Sequence, residues 1–176
     1  MLMIVKNNYF WTEKEKKESG EGSAGAVPAF LANGDRAKVL RVSNYIELYG
    51  FRFATLLLQL PDYDDYEMQV TGMLDTLQSE APALTHEQQE ELFRQVEEDY
   101  QHFVPLKADR MKSIRQDAYF NALQIKYAYA VTCHKAQGGQ WAHVYVDQGY
   151  MTDDMLTPDY IHWLYTACLL YTSDAA

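Results

Sequence analysis

Residues 127 to 141 read YAYAVTCHKAQGGQW. Within this run Thr132, His134, Lys135, Gln137 and Gln140 supply a hydroxyl, an imidazole, an ammonium and two amides, and Gly138 and Gly139 stand side by side among them. The apolar stretch up to Thr132 reads as a strand, and HKAQGG as the turn or short helix that leaves it. A loop at the carboxyl end of a strand is where α/β folds bind ligands. Its free backbone N–H groups favour anions, and glycines, which lack a Cβ, let a phosphate come close to the chain. Anion binding, with phosphate foremost, is the chemistry this spacing predicts.

Other readings of the same residues compete with that one. Cys133 beside His134 has the composition of a thiol nucleophile with its base, but neighbours on an extended strand point to opposite faces, which separates them. His134 also fits a helix cap or a partner for a buried carbonyl. Trp141 reads as core packing beneath the strand. Cys133 and Cys168 make neither a disulfide framework nor a zinc-like spacing, so reduced thiols and no metal site are expected.

The elements that must hold the loop fall in three zones. Leu2-Met3-Ile4-Val5-Lys6 reads as a short buried strand, and TEKEKKESGEGSAGA, residues 12–26, as a mobile, charged, Gly/Ser-rich surface loop with no folded element. Asn33-Gly34-Asp35 is a tight turn feeding a strand with Val39, Leu40 and Val42. FRFATLLLQL and EMQVTGML follow as two strands around the turn-rich PDYDDY. Such a succession predicts a small β-barrel or curled sheet. The second zone is an amphipathic helix. Thr85 and Gln88 fit a capping box, and Leu92, Phe93, Val96, Tyr100 and Phe103 recur on one face. The third zone returns to α/β alternation, with strands at Ala128–Thr132 and 143–147. A helix then begins at Thr157-Pro158-Asp159 and turns Ile161, Leu164 and Tyr165 inward.

A length of 176 residues suits one domain with a core, or one domain carrying an insertion. No apolar run approaches the roughly 20 residues of a membrane helix, and the first residues hold no basic leader or cleavage site. A cytoplasmic chain with no membrane partner is expected. The net charge of -10 argues against a polyanionic partner, yet residues 62–99 hold 12 acidic side chains and one basic, leaving 13 acidic and 14 basic elsewhere. Residues 107–135 set Lys107, Arg110, Lys112, Arg115, Lys126 and Lys135 against Asp109 and Asp117. That local excess, just before the loop, suits either a solvated helix face or nucleic acid.

AVTCHKAQGGQWAHVYVD resembles motif V of superfamily 1 helicases, in the RecD-like branch with a UvrD-type C-terminal domain. Thr132, His134, Lys135, Gln137, Gly138 and Gln140 fall on its T-x-H-K-x-Q-G-x-[EQ] pattern. The resemblance implies that Gln137, Gly138, Gly139 and Gln140 bind ATP, with Gly138 beside the γ-phosphate and Gln140 at the ribose hydroxyls, where many members have Glu. It implies that Thr132, His134 and Lys135 meet single-stranded DNA. MLMIVKNNY followed by FLANGD is similar to the family's opening of an inserted barrel of the Src-homology-3 kind. WLYTA resembles the start of motif VI, with Tyr165, Thr166 and Ala167 on the pattern, and Leu170 stands where the motif has arginine.

The expected fold is therefore α/β: part of a RecA-like second motor domain (residues 1–29 and 121–167), an inserted β-barrel and helical region (30–120), and a non-native tail (168–176). CLLYTSDAA resembles a translated sequencing-adapter tail, and no Walker A loop occurs. The implied function is that of the C-terminal portion of an ATP-dependent, 5′–3′ RecD-like DNA helicase. ATP and Mg2+ would be its cofactors, and single-stranded or forked DNA and an N-terminal motor domain its partners. The chain alone is expected to be inactive. A non-catalytic module that binds nucleic acid or protein is the alternative.

Overall fold

A computed structural model describes residues 1–19, 27–133 and 143–169. They divide into two compact units, Met1–Tyr129 and Ala130–Ala176. No described helix is long and apolar enough to cross a membrane.

The first unit is built on a closed five-stranded barrel. Its strands are β1 (Leu2–Ile4), β2 (Arg36–Leu48), β3 (Phe51–Leu60), β4 (Tyr66–Met73) and β5 (Leu123–Tyr127). All neighbours pair antiparallel except β4 and β5, which run parallel. The β2–β3 hairpin turns on Tyr49 and Gly50 alone, at φ 55° and 75°, as a two-residue turn matched to strand twist requires. PDYDDY turns the chain from β3 to β4 through a short 3-10 turn, Pro61–Tyr63, and two left-handed residues, Asp64 and Asp65. Asn33-Gly34 makes the expected turn into β2, with Gly34 at φ 104°. Beside it the Asp35 carboxylate accepts from Ala32 N–H at 2.7 Å and from the Tyr63 hydroxyl at 2.8 Å. Burial first, then that carboxylate, pushes the Tyr63 hydroxyl up to about 12.

β3 buries both faces in turn: Phe51 and Phe53 on one, then Ala54, Leu56, Leu58 and Leu60 on the other. Two cores result. Ile4, Leu31, Leu58, Leu60, Leu123 and Ile125 belong to the barrel core. Phe51, Phe53 and Met73 pack with Leu92 and Val96 of α3 (His86–Gln101) and Ile114 of α4 (Lys107–Arg115). The capping box of α3 forms as expected, the Thr85 hydroxyl accepting from Gln88 N–H and the Gln88 amide oxygen from Thr85 N–H. Leu92 and Val96 face the core, while Phe103 lies past the helix end and is exposed.

Two sequence expectations change here. Residues 12–19 are not loop but part of α1 (Phe10–Ser19). Trp11 is buried and donates through Nε1 to Asn121 O at 2.9 Å, its N–H is met by Asn8 Oδ1, and Thr12 is fully buried. The first turn anchors the helix, and Glu and Lys, both good helix formers, continue it on the solvent side with a Lys14–Glu18 pair. The Gly/Ser-rich residues 20–26 lie outside the described residues. The barrel, moreover, takes β1 and β5 from either side of the 30–120 segment.

β1 and β2 are joined by two pairs, Leu2↔Ala37 and Met3↔Arg36, and closure is equally thin where β4 meets β5, through Gly72↔Leu123 and Met73↔Gln124. Two residues stand at this seam. A Cβ at Gly72 would meet Leu56 Cδ1 at 2.4 Å, so a larger residue there would have to push the Leu56 side chain aside. Thr76, in the short helix α2 (Asp75–Gln78), accepts Ile125 N–H at 3.1 Å and lies 2.8 Å from Ile125 O. Thr76→Val should therefore strand a buried N–H and lower unfolding stability by about 1–3 kcal/mol. An unchanged urea midpoint would show the seam to be held by packing alone.

The second unit contains a 3-10 turn at Asp153–Met155 and a helix, α5 (Pro158–Cys168). Thr157 caps α5 as expected, its hydroxyl accepting from Tyr160 N–H at 3.3 Å, and Pro158 opens the first turn. The inward face differs from the expected one. Tyr160, Trp163, Leu164 and Ala167 are the less exposed positions, one face at 3–4 residue spacing, whereas Ile161 and Tyr165 are 62% and 65% exposed. Tyr160 and Trp163 stack, 5.7 Å between centroids, and the Tyr160 hydroxyl reaches Gln148. Residues 143–147 form no strand and Tyr145 is 99% exposed. A strand exists only against a hydrogen-bonding neighbour, and no described part of this unit offers one.

Candidate nucleotide and nucleic-acid site

The singled-out run leaves the barrel along β5. Tyr127 is opposite Leu2, and Ala128 N–H reaches Met1 O at 3.1 Å. The strand ends at Tyr127, upstream of the expected Ala128–Thr132, and those residues carry no strand pairing. Thr132 is exposed and Cys133 half-buried. Cys133 and Cys168 are free thiols, as expected. His134, Lys135, Gln137, Gly138, Gly139, Gln140 and Trp141 lie outside the described residues, as does Leu170. The described residues of 130–169 hold no parallel sheet of the motor-domain kind.

Tyr127 and Tyr129 form a pair that motif reading overlooked. Their rings stack at 5.8 Å with 23° between planes, and they are 52% and 80% exposed. The signal was present in the sequence, because residues two apart on extended chain share a face, and KYAYA spaces its tyrosines that way.

The basic stretch before the run is in part consumed by the fold. Arg110, only 12% exposed at its side chain, lies 3.7 Å from Glu97 and donates to Val104 O. Lys126 Nζ donates to Ser79 O, and Lys112 pairs with Asp109. The acidic helix thus has an internal partner. Asp99 of α3 accepts from the Tyr49 hydroxyl at 2.8 Å, and Asp117 accepts from Tyr100 at 3.1 Å. Burial raises both phenols above the usual tyrosine range, and the carboxylates add to it. Part of the acidity of this region is thus cement for the helical lobe.

In the second unit α5 presents the residues matched to motif VI over its last turns. Tyr165 is exposed, Thr166 donates to His162 O at 3.0 Å, and Ala167 is buried. Both sequence-marked segments, the run after β5 and the end of α5, fall within one 42-residue stretch.

No curated protein and no solved structure matches the chain. Residues 127–168 match the family model of the UvrD-like helicase C-terminal domain. On that stretch the chain is similar to the helicase C-terminal family, a likeness that points toward a helicase-related function.

Proposed function

We propose that this chain is the C-terminal motor portion of an ATP-dependent DNA helicase of the RecD-like branch, with residues 130–169 belonging to a RecA-like second motor domain. The observation that carries the reading is coincidence: the helicase family match over residues 127–168 contains both the motif V run and Tyr165-Thr166-Ala167. In this reading the Thr132 hydroxyl, the His134 imidazole and the Lys135 ammonium hold strand phosphates, contacts that fix position without reading sequence. Gly138 and Gly139 leave room for nucleotide phosphate, Gln137 lies beside it, and the Gln140 amide hydrogen-bonds ribose hydroxyls. ATP with Mg2+ supplies the free energy of hydrolysis, and the N-terminal motor domain supplies most of the phosphate and metal contacts. One loop that meets both nucleotide and strand makes the two affinities interdependent.

In a protein completed with a first motor domain, Thr132→Ala and His134→Ala should each weaken single-stranded DNA binding about tenfold, alike on unrelated sequences. Fluorescence anisotropy at several salt concentrations measures this. A loss confined to one sequence contradicts the assignment. DNA affinity indifferent to nucleotide identifies a non-catalytic binding module instead.

A further inference from the structure

A cavity of about 330 Å³ opens in the first unit between the β1–α1 connection, the start of β5 and α3. That is the small end of the range for ligand sites, about 300–1,000 Å³. Its apolar wall includes Phe93 and Phe120, set edge to face at 6.0 Å, which leaves ring surface for a flat guest. Gln124 lines it and is only 7% exposed. The orientation of this amide is settled by chemistry: its oxygen accepts Leu84 N–H at 3.0 Å, and a backbone N–H can only donate. The Gln124 NH2 group is therefore fixed as a donor, and it donates to no group among the described residues. That donor lines an open cavity, where a ligand acceptor can take the place of water. Gln89 adds a second amide to the lining, and the exposed Lys6 and Asn7 stand at the rim.

We infer that this cavity binds a nucleobase, stacked on the Phe93 and Phe120 wall with a ring nitrogen or carbonyl oxygen accepting from the Gln124 NH2. A flat heteroaromatic ring read by amides at its edge and by aromatic side chains at its face is how proteins hold an unstacked base. Lys6 at the rim suits the phosphate of a nucleotide or of a strand. The base comes either from free nucleosides and nucleotides or from single-stranded nucleic acid, and both present the same edge. The site involves none of residues 130–140, and nucleoside binding needs neither a motor domain nor ATP hydrolysis. Its test therefore succeeds or fails separately from the helicase reading.

The experiment is a titration of the 15N-labelled full chain with thymidine, cytidine, adenosine and guanosine, and then with a short oligothymidylate, followed by the side-chain NH2 resonances of Gln124. At least one nucleoside is expected to move those resonances saturably. Movement by the oligonucleotide at the same signals assigns the source to a strand, and movement by nucleosides alone assigns it to free ligands. Gln124→Glu keeps an oxygen for Leu84 N–H while removing the donor, and should weaken binding about tenfold or more. Phe93→Leu keeps an apolar wall without the ring and should also weaken it. Gln124 signals left in place by all four nucleosides and by the oligonucleotide overturn the inference. Equal nucleoside affinity in Gln124→Glu, with an otherwise unchanged amide spectrum, does the same.

Discussion

Placing arginine at position 170 and threonine at 169, in a protein completed with a first motor domain, is expected to raise DNA-stimulated ATPase by a factor on the order of 10³–10⁵. Position 170 holds leucine, three residues beyond the Tyr165-Thr166-Ala167 stretch that resembles the start of motif VI. As phosphoryl transfer proceeds, charge on the transferred group must be met by a cation held in place, and an alkyl side chain offers none. ATP affinity should change much less, because the proposed contacts at Gly138 and Gln140 do not include residue 170. The contrast between turnover and affinity separates a lost catalytic charge from a damaged fold, which would depress both. The comparison is Leu169→Thr with Leu170→Arg against the unaltered sequence, by steady-state ATPase with and without DNA. Equal rates would sink the motif VI assignment.

How much of this was legible in the sequence depends on the range of the interactions involved. The Asn33-Gly34 turn, the PDYDDY turn and the Thr85–Gln88 box are set by residues within a few positions of one another, and local chemistry announces them. Barrel closure is not local. β1 pairs with β5 across more than a hundred residues, and the insertion bounds of 30–120 implied by the resemblance lie inside both. The α1 residues misled for a related reason: EKEKK looks like a solvated loop until Trp11 reaches Asn121 O, a partner that no window around residue 11 contains. The inward face of α5 was misjudged because Ile161 and Tyr165 were ranked by hydrophobicity. The face that packs is the one through Tyr160, Trp163, Leu164 and Ala167. The motif run was legible by type and spacing, and the match at residues 127–168 agrees with it. The Gln124 amide was not legible, because only the Leu84 N–H across 40 residues decides which way it faces.

The largest loss of stability should come from Phe53→Ala, about 3–5 kcal/mol by the cost of emptying a fully buried aromatic site. Phe53 is 0% exposed and lies on β3, but its neighbours are those of the helical lobe: Met73, Leu92, Val96 and Ile114, with Tyr119 edge-on at 5.2 Å. A cavity there cannot collapse easily. β3 is held in register on both sides, by β2 and β4, and α3 is tied to the barrel rim by the Tyr49–Asp99 bond. Phe103→Ala, which removes the same ring from a position 79% exposed, should cost less than about 0.5 kcal/mol and serves as the control. Urea unfolding followed by both far-ultraviolet circular dichroism and tryptophan fluorescence gives the two values. It also shows whether barrel and lobe melt together, since coincident transitions mark one cooperative unit. If Phe53→Ala cost no more than Phe103→Ala, the lobe would not be joined to the barrel through this core, and the acidic helix would be an appendage held by its tyrosine–carboxylate contacts alone.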